Sequence, residues 1–394
     1  MTAPQITDAA SVGLDPKRMD RAREMVREQV STGRAVGACV VVRRRGELVL
    51  AEAHGTRNPE GDPMTFDTVW SLASATKPVT AATTMSLVED GLIGLNQRVV
   101  DYLPEVPAGA HDQLLVHHLL THTGGIPTFD WTGQLAERVR EPRPEDERWG
   151  RNRLSNAFLS LFVESEAQAT PGTKMAYGST SYSVLGEIIR RVTGQSVGEA
   201  MHERILEPLG MRDTAMGASG DRFDRLTVRA PGLPFDASFG EAMFGVPWDR
   251  EHMDLDLPWA GLTGTPMEYV RFCEMIRRGG ELDGVRVLSR ASVRAMTTNQ
   301  IPGVPALIHG HDEASWGYGF SVIGSQRWPY FVGGLVPNGS ASHGGAGGID
   351  HWIDFENDIT GAFFEIITET SEMLEPVSGA SHRFEDVVTA AVLD

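Results

Sequence analysis

The sequence predicts an α+β fold: an antiparallel sheet built from both ends of the chain, flanked by helices, with a mainly helical region inserted between them. Three observations predict it. β-rich runs occur near residue 40 and again from 316 to 367, helical periodicities fill the middle, and no internal repeat or low-complexity linker divides the 394 residues. The whole chain, 1–394, is therefore expected to form one domain. Its sheet part would be about 10–70 and 265–394, and its helical part about 71–264.

The first element reads as a helix, with Asp15 as cap, Pro16 at the first position and Met19, Ala22, Val26 and Val30 on one face. Ala38-Cys-Val-Val-Val-Arg43 and Glu47-Leu-Val-Leu-Ala51 then form a hairpin around Arg44-Arg-Gly46. After the strand-like Thr68-Val-Trp70 the period changes to that of a helix, with Ala81, Met85, Val88 and Leu92 on one stripe and Gly91 near its stop. A second helix follows Tyr182, carrying Leu185, Ile188, Ile189 and Val192 on one face and ending at Gly194. Residues 127–153 show no sustained period and are expected to be irregular, as a lid or a mobile segment would be. Strands are expected over Trp316–Val322, Gly348–Phe355 and Ile359–Ile367, with a tight turn at Glu356-Asn-Asp358 and a last helix from about Phe384 to Leu393.

Composition excludes several classes. A formal charge of −18 repels nucleic-acid phosphates and anionic membranes, so neither is an expected partner. No apolar run approaches the ~18 residues that a membrane span needs. The opening residues carry no basic start followed by an apolar core, so a cytoplasmic location is expected. Cys39 and Cys273 read as buried free thiols of a reducing compartment. Of the 35 basic residues only Lys17, Lys77 and Lys174 are lysines, leaving 35 − 3 = 32 arginines. A lysine kept in such a chain draws notice because its amine can lose a proton, which a guanidinium does not do.

Ser74-Ala-Thr-Lys77 supplies the chemistry. Three residues apart on a helix, hydroxyl and amine are neighbours, and a desolvated amine can take the hydroxyl proton. It is the only Ser-x-x-Lys in the chain: Leu14 stands three residues before Lys17, and Pro171 before Lys174. A second element, Pro171-Gly-Thr-Lys-Met-Ala-Tyr177-Gly-Ser179, offers a tyrosine that could relay protons beside an ammonium, or could serve only as a core residue at a helix entrance. In the third, Ser342-His343-Gly-Gly-Ala-Gly-Gly348, four of the last five residues are glycine. Such a backbone can approach a ligand and offer N–H groups to an oxyanion, or form a plain flexible turn.

These elements, in this order, resemble the penicillin-recognising serine hydrolases, in the class C β-lactamase-like branch with its family VIII carboxylesterases. The resemblance extends through Trp70-Ser-Leu-Ala-Ser-Ala-Thr-Lys-Pro78, Leu92-Ile-Gly-Leu-Asn-Gln-Arg-Val-Val-Asp-Tyr-Leu-Pro104 and His118-Leu-Leu-Thr-His-Thr-Gly-Gly125. It continues in Pro171-Gly-Thr173, Leu206-Glu-Pro-Leu-Gly-Met211, Gly280-Glu-Leu-Asp-Gly284 and Trp316-Gly-Tyr-Gly-Phe320. It implies a β-lactamase/transpeptidase-like fold and a covalent acyl-enzyme on Ser74. Lys77 and Tyr177 would exchange the serine proton, and the backbone N–H groups of Ser74 and Ala346 would hold the oxyanion. His343 would stand where the family's Lys-Thr-Gly motif has lysine. Ser179 stands where a β-lactamase carries asparagine, so the grips on a β-lactam amide and carboxylate are both missing.

The expectation is therefore a metal-independent esterase for small or medium acyl groups, with no cofactor and a small-molecule acyl substrate as partner. A D-amino-acid peptidase, amidase or acyltransferase on the same scaffold is the alternative, ahead of a β-lactamase or a non-catalytic sensor. Ser179, Gly344, Gly345, Trp131 and Tyr318 are the expected substrate contacts, and Phe129 and Trp149 further candidates for an apolar acyl pocket. Competing signatures are weak. Gly-x-Ser-x-Gly, His-Glu-x-x-His and nucleotide fingerprints are missing, and His117, His118 and His122 are expected to pack or hydrogen-bond rather than bind metal. His309-Gly-His-Asp-Glu313 offers metal-like ligands of the kind polar loops often carry.

Overall fold

Asp15 accepts a hydrogen bond from the Lys17 N–H at 2.9 Å and starts the Pro16–Ser31 helix, which buries Met19, Ala22 and Val26. The computed structural model describes residues 4–106, 109, 111–127, 132–245, 256–306, 312–324, 332–368 and 379–394. Strands β1 (Ala35–Arg44) and β2 (Glu47–Gly55) follow the helix as a hairpin. Its two turn residues, Arg45 and Gly46, both have positive φ, which matches the twist of the flanking strands.

Further along the chain come β3 (Trp70–Ser71), β4 (Ala215–Met216), β5 (Leu262–Gly264), β6 (Glu281–Leu282) and β7 (Val285–Arg286). Then come β8 (Ser321–Val322), β9 (Ala341–Gly345), β10 (Ile349–Asp354) and β11 (Ile359–Ile367). Among the described residues the main sheet has six antiparallel strands in the order β2-β1-β11-β10-β9-β8. The first hairpin thus pairs with the C-terminal strands through β1 and β11, as a sheet built from both ends requires. One face is covered by the Pro16–Ser31 and Gly379–Ala390 helices, the other by Pro266–Arg277 and the helical region. A smaller sheet, β3-β5-β4, ties the entry of the helical region to its exit.

The Thr76–Glu89 helix differs from the amphipathic stripe expected. Every residue from Thr76 to Leu87 is buried, whereas Leu92, beyond its end, is 44% exposed. A helix buried on all sides is normally apolar throughout, and this one is rich in threonine. Its hydroxyls are satisfied internally: Thr83 donates to the Val79 carbonyl at 2.9 Å, Thr84 to Thr80 at 2.9 Å, and Thr80 across to Pro258 at 2.7 Å.

Three other expectations change. Within 127–153 the described residues include a helix at Thr132–Arg140 and a 3₁₀ helix at Pro144–Trp149, just before the Arg153–Glu164 helix. The period was hidden because Arg138 is buried, paired with Asp146 at 2.9 Å and Glu164 at 2.7 Å. Of the Trp316–Val322 run only Ser321–Val322 is strand, since Gly319, at φ +85°, turns the chain beside the Thr76–Glu89 helix. The last helix begins earlier than expected, at Gly379.

Candidate active site

Ser74 is held at a junction. β3 pairs with β5, and the Leu72 N–H donates to the Leu262 carbonyl at 2.9 Å. Ala73 then adopts φ +45°, a conformation that β-carbon residues rarely take, and the chain enters a 3₁₀ turn over Ala73–Ala75. Two bonds fix the turn from outside. The Tyr269 hydroxyl donates to the Ala75 carbonyl at 2.7 Å, and Thr76 Oγ1 accepts from the Leu262 N–H at 3.0 Å. In a 3₁₀ turn residues three apart eclipse one another, so Ser74 and Lys77 meet even though the α-helix begins only at Thr76.

Lys77 is 1% exposed, and its Nζ lies 2.9 Å from Ser74 Oγ and 3.2 Å from the Trp259 carbonyl. No carboxylate among the described residues offsets the charge. Burial alone acts on the amine and lowers its pKa to about 7. The Tyr177 ring faces the same amine, with its centroid 4.7 Å from Nζ.

Tyr177 is fixed on both sides by His122. The Ala176 N–H donates to the His122 carbonyl at 2.9 Å, and the Gly178 N–H donates to His122 Nδ1 at 3.4 Å. The imidazole of His122 also packs against the rings of Tyr177, Tyr182 and Trp316, at 4.6, 5.2 and 5.5 Å between centroids. Burial raises the Tyr177 hydroxyl above its usual pKa, and a hydrogen bond with Ser74 offsets part of that rise. On its other side Tyr177 Oη lies 3.5 Å from His343 Nε2.

His343 is fully buried in β9, and its Nδ1 lies 2.6 Å from the Gly344 carbonyl. A carbonyl can only accept, so Nδ1 carries the proton. Burial, reinforced by Lys77 and His351, pushes the imidazole pKa well below its usual value and keeps the ring neutral. Nε2 therefore presents a lone pair to the Tyr177 hydroxyl. Among the described residues this cluster joins the Lys77 amine to two imidazoles, those of His122 and His343, that burial keeps neutral.

The end of β9 packs against the Ala73–Ala75 turn. A β-carbon on Gly345 would stand 2.4 Å from the Leu72 carbonyl oxygen, so only glycine allows this approach. Gly344 and Gly345 are strand residues paired with Asp350 and Ile349, not a loose loop. Ala346 comes next, at the start of the turn into β10, and is partly exposed. Ser74 and Ala346 thus lie on two segments in direct contact.

Of the other expected contacts, Tyr318 and Trp149 lie in the core. Tyr318 is 5% exposed, and its hydroxyl is 2.9 Å from His117 Nδ1; this is the placement of a packing residue. Trp149 belongs to the core, donating from Nε1 to Ser160 Oγ at 3.0 Å. Trp131, Phe129 and His309 to His311 lie outside the described residues. Ser179 caps the Thr180–Thr193 helix by position and is partly exposed, three residues before the buried Tyr182. His118 accepts from the Leu115 N–H at 3.1 Å, and burial with the neighbouring His117 lowers its pKa to about 4. Cys39 and Cys273 are buried and unbridged. Among the described residues no group of three or more His, Cys, Asp or Glu is placed to hold a metal, and no helix is long and apolar enough to cross a membrane.

His122 packs and hydrogen-bonds as expected, but that it does so against Tyr177, and the roles of Trp316 and Trp259, were not legible in the sequence. His122 sat in plain view in a family run, but its packing against three rings needs the tertiary fold. The Trp259 carbonyl, a backbone atom more than 180 residues from Lys77 in sequence, has no sequence signal at all.

Comparison with known proteins places this chain in a family. The model of the Beta-lactamase family matches residues 22–368. Esterase EstB of Burkholderia gladioli is 33% identical over 237 residues, covering 57% of this chain and 58% of that protein. A penicillin-binding protein homologue from Caulobacter crescentus is 26% identical with a TM-score of 0.75, covering 96% of this chain and 99% of its own. A family VIII carboxylesterase of solved structure shares the fold at 21% identity and a TM-score of 0.74, over 96% of this chain and 99% of that one. With the paired serine and lysine on this shared fold, the chain belongs to the Beta-lactamase family and is a serine hydrolase of that family.

Proposed function

We propose that this chain is a carboxylesterase for uncharged small or medium acyl esters, acting through an acyl-enzyme on Ser74. The carrying observation is the Lys77 amine, buried with no carboxylate beside it among the described residues, brought to a pKa of about 7 and set 2.9 Å from Ser74 Oγ. A neutral amine there accepts the hydroxyl proton as Oγ bonds to the substrate carbonyl carbon. The carbonyl oxygen takes up the displaced electron pair and is held by the Ser74 and Ala346 N–H groups. Collapse of that intermediate breaks the carbon–oxygen bond to the leaving alcohol. The proton on Lys77 reaches the leaving oxygen through the Tyr177 hydroxyl, and water, deprotonated by the same groups, then releases the acid.

The substrate class follows from charge. Where the family motif carries lysine, His343 is neutral, so nothing at that position attracts a carboxylate. An ester without an anionic group loses nothing by this, whereas a penicillin loses a grip. EstB, an esterase by name, supports the same class.

The test uses a fluorophosphonate with p-nitrophenyl esters, D-amino-acid amides and nitrocefin. Labelling at Ser74 with ester turnover supports the proposal. Amide turnover without ester turnover would transfer the reading to a D-amino-acid amidase or peptidase. No labelling, with Ser74→Ala as active as the parent, overturns it.

A further inference from the structure

Arg229 belongs to none of the motifs, yet the segment that carries it touches both halves of the oxyanion site. Upstream of Ser74, Val69 and Leu226 form a parallel bridge. The Val69 N–H donates to the Arg225 carbonyl at 3.0 Å, and the Thr227 N–H donates back to the Val69 carbonyl at 2.8 Å. The Val228 N–H is bound to the Arg57 carbonyl at 2.8 Å. The backbone before Arg229 is thus fastened to the strand that enters β3 and leads to Ser74.

Its side chain reaches the other half. Nη2 donates to the carbonyl of Gly347, the residue after Ala346, and Nη1 to the Pro234 carbonyl at 3.3 Å. A β-carbon on Gly347 would stand 2.4 Å from Nη2, so the guanidinium lies against the bare face of that glycine. Gly347 and Gly348 have φ of +94° and +96°. A turn of two left-handed glycines is intrinsically soft and needs bracing from outside. An oxyanion donor needs placement to within about 0.5 Å. Beyond Gly348, whose carbonyl accepts from the Glu365 N–H at 2.8 Å, the turn is held by the sheet. On its Ala346 side Arg229 supplies the brace.

We propose that Arg229 is a positioning residue that sets the Ala346 N–H against the Ser74 N–H by clamping the Gly347 carbonyl to the strand leading into Ser74. The inference rests on the oxyanion site of the proposed esterase. Burial lowers the Arg229 pKa to about 10, with Glu365 and Asp236 opposing the shift, so the guanidinium stays charged at neutral pH. Its positive charge beside the turn also favours the negative charge that develops on the substrate oxygen.

The experiment compares p-nitrophenyl butyrate with its thionoester in the parent enzyme, Arg229→Ala and Arg229→Lys. Thermal melts serve as the folding check. A well-placed oxyanion site favours oxygen over sulfur. In Arg229→Ala, kcat for the oxoester should fall about 10- to 100-fold, with KM within about threefold. The oxo-to-thiono rate ratio should fall with it, and added guanidinium chloride at low millimolar concentration should restore part of kcat. Arg229→Lys, which keeps the charge, should fall between the two and carries the same test if the alanine variant does not fold. An unchanged oxo-to-thiono ratio in a folded variant overturns the assignment, as does a loss of kcat that follows the melting temperature alone. Failure of the underlying reading looks different: the parent enzyme would resist fluorophosphonate, or Ser74→Ala would remain active, whatever Arg229 does.

Discussion

Lys77 Nζ and Ser74 Oγ are 2.9 Å apart in a setting where no carboxylate among the described residues supplies a counter-charge. Conversion of lysine to arginine keeps a cation at the site and removes the ability to lose a proton. Lys77→Arg should therefore lower kcat/KM on p-nitrophenyl butyrate by about 100-fold or more, within the range for loss of a general base. If it kept most of its activity, the amine would be an electrostatic partner only.

The same pair fixes the pH dependence. Lys77 accepts the serine proton only when neutral, and its pKa lies at about 7. The rate should rise with pH through that value and level off above it. His343 and His122 lie well below their usual pKa and Tyr177 above its own, so none of them adds a limb between pH 6 and 9. A profile of kcat/KM against pH checks this, and a bell centred near neutrality would contradict it.

Much of this site is legible in the sequence, because local spacing brings Ser74 and Lys77 together and the scarcity of lysine draws attention to the pair. Tyr177 and His343 need the order of three motifs to be connected, since they lie 166 residues apart in sequence and meet at 3.5 Å. The sheet from both termini is equally readable, each strand carrying its own β-rich run. Less is readable where burial inverts the usual pattern. The threonines of Thr76–Glu89 and the Arg138–Asp146 pair look like surface residues and are core. Tyr318 looked like a pocket aromatic because nothing in the sequence shows that His117 binds its hydroxyl.

His343 offers a lone pair to Tyr177, so the replacement matters by chemistry more than by size. His343→Gln keeps an acceptor and should retain kcat within about tenfold. His343→Phe fills the space without one and should lose at least tenfold more, with KM little changed. Equal kcat in the two variants would show that the Tyr177 contact does not orient the proton.

Gly345 carries the close approach of β9 to the turn before Ser74. Gly345→Ala would press a methyl group onto the Leu72 carbonyl, a backbone atom that cannot swing aside. The two segments must separate, at a cost of about 1–3 kcal/mol in stability, and the Ser74 and Ala346 N–H groups separate with them. Urea denaturation should show the first effect, and a fall in kcat for p-nitrophenyl butyrate beyond tenfold the second. A variant with parental stability and rate would mean that the strands repack without disturbing the site.

Lys77 should also cost the enzyme stability, in a pH-dependent way. Its folded pKa of about 7 is below the ordinary 10.5, so between those values the unfolded chain holds a proton that the folded one has released. Stability from this group therefore rises with pH across that window. Below about 7 both states are protonated and the full penalty of burying the ammonium is present, on the order of 3 to 6 kcal/mol. Lys77→Met keeps a similar length without the charge. It should be more stable than the parent at pH 6, and the advantage should shrink towards pH 10, where the neutral amine keeps its bonds to Ser74 and the Trp259 carbonyl. Carboxylates common to both proteins cancel in the difference. Melting temperatures of the pair at pH 6 and pH 10 measure it. An identical gap at both values would show that Lys77 titrates as it does in the unfolded chain, and the proposed base would lose its physical ground.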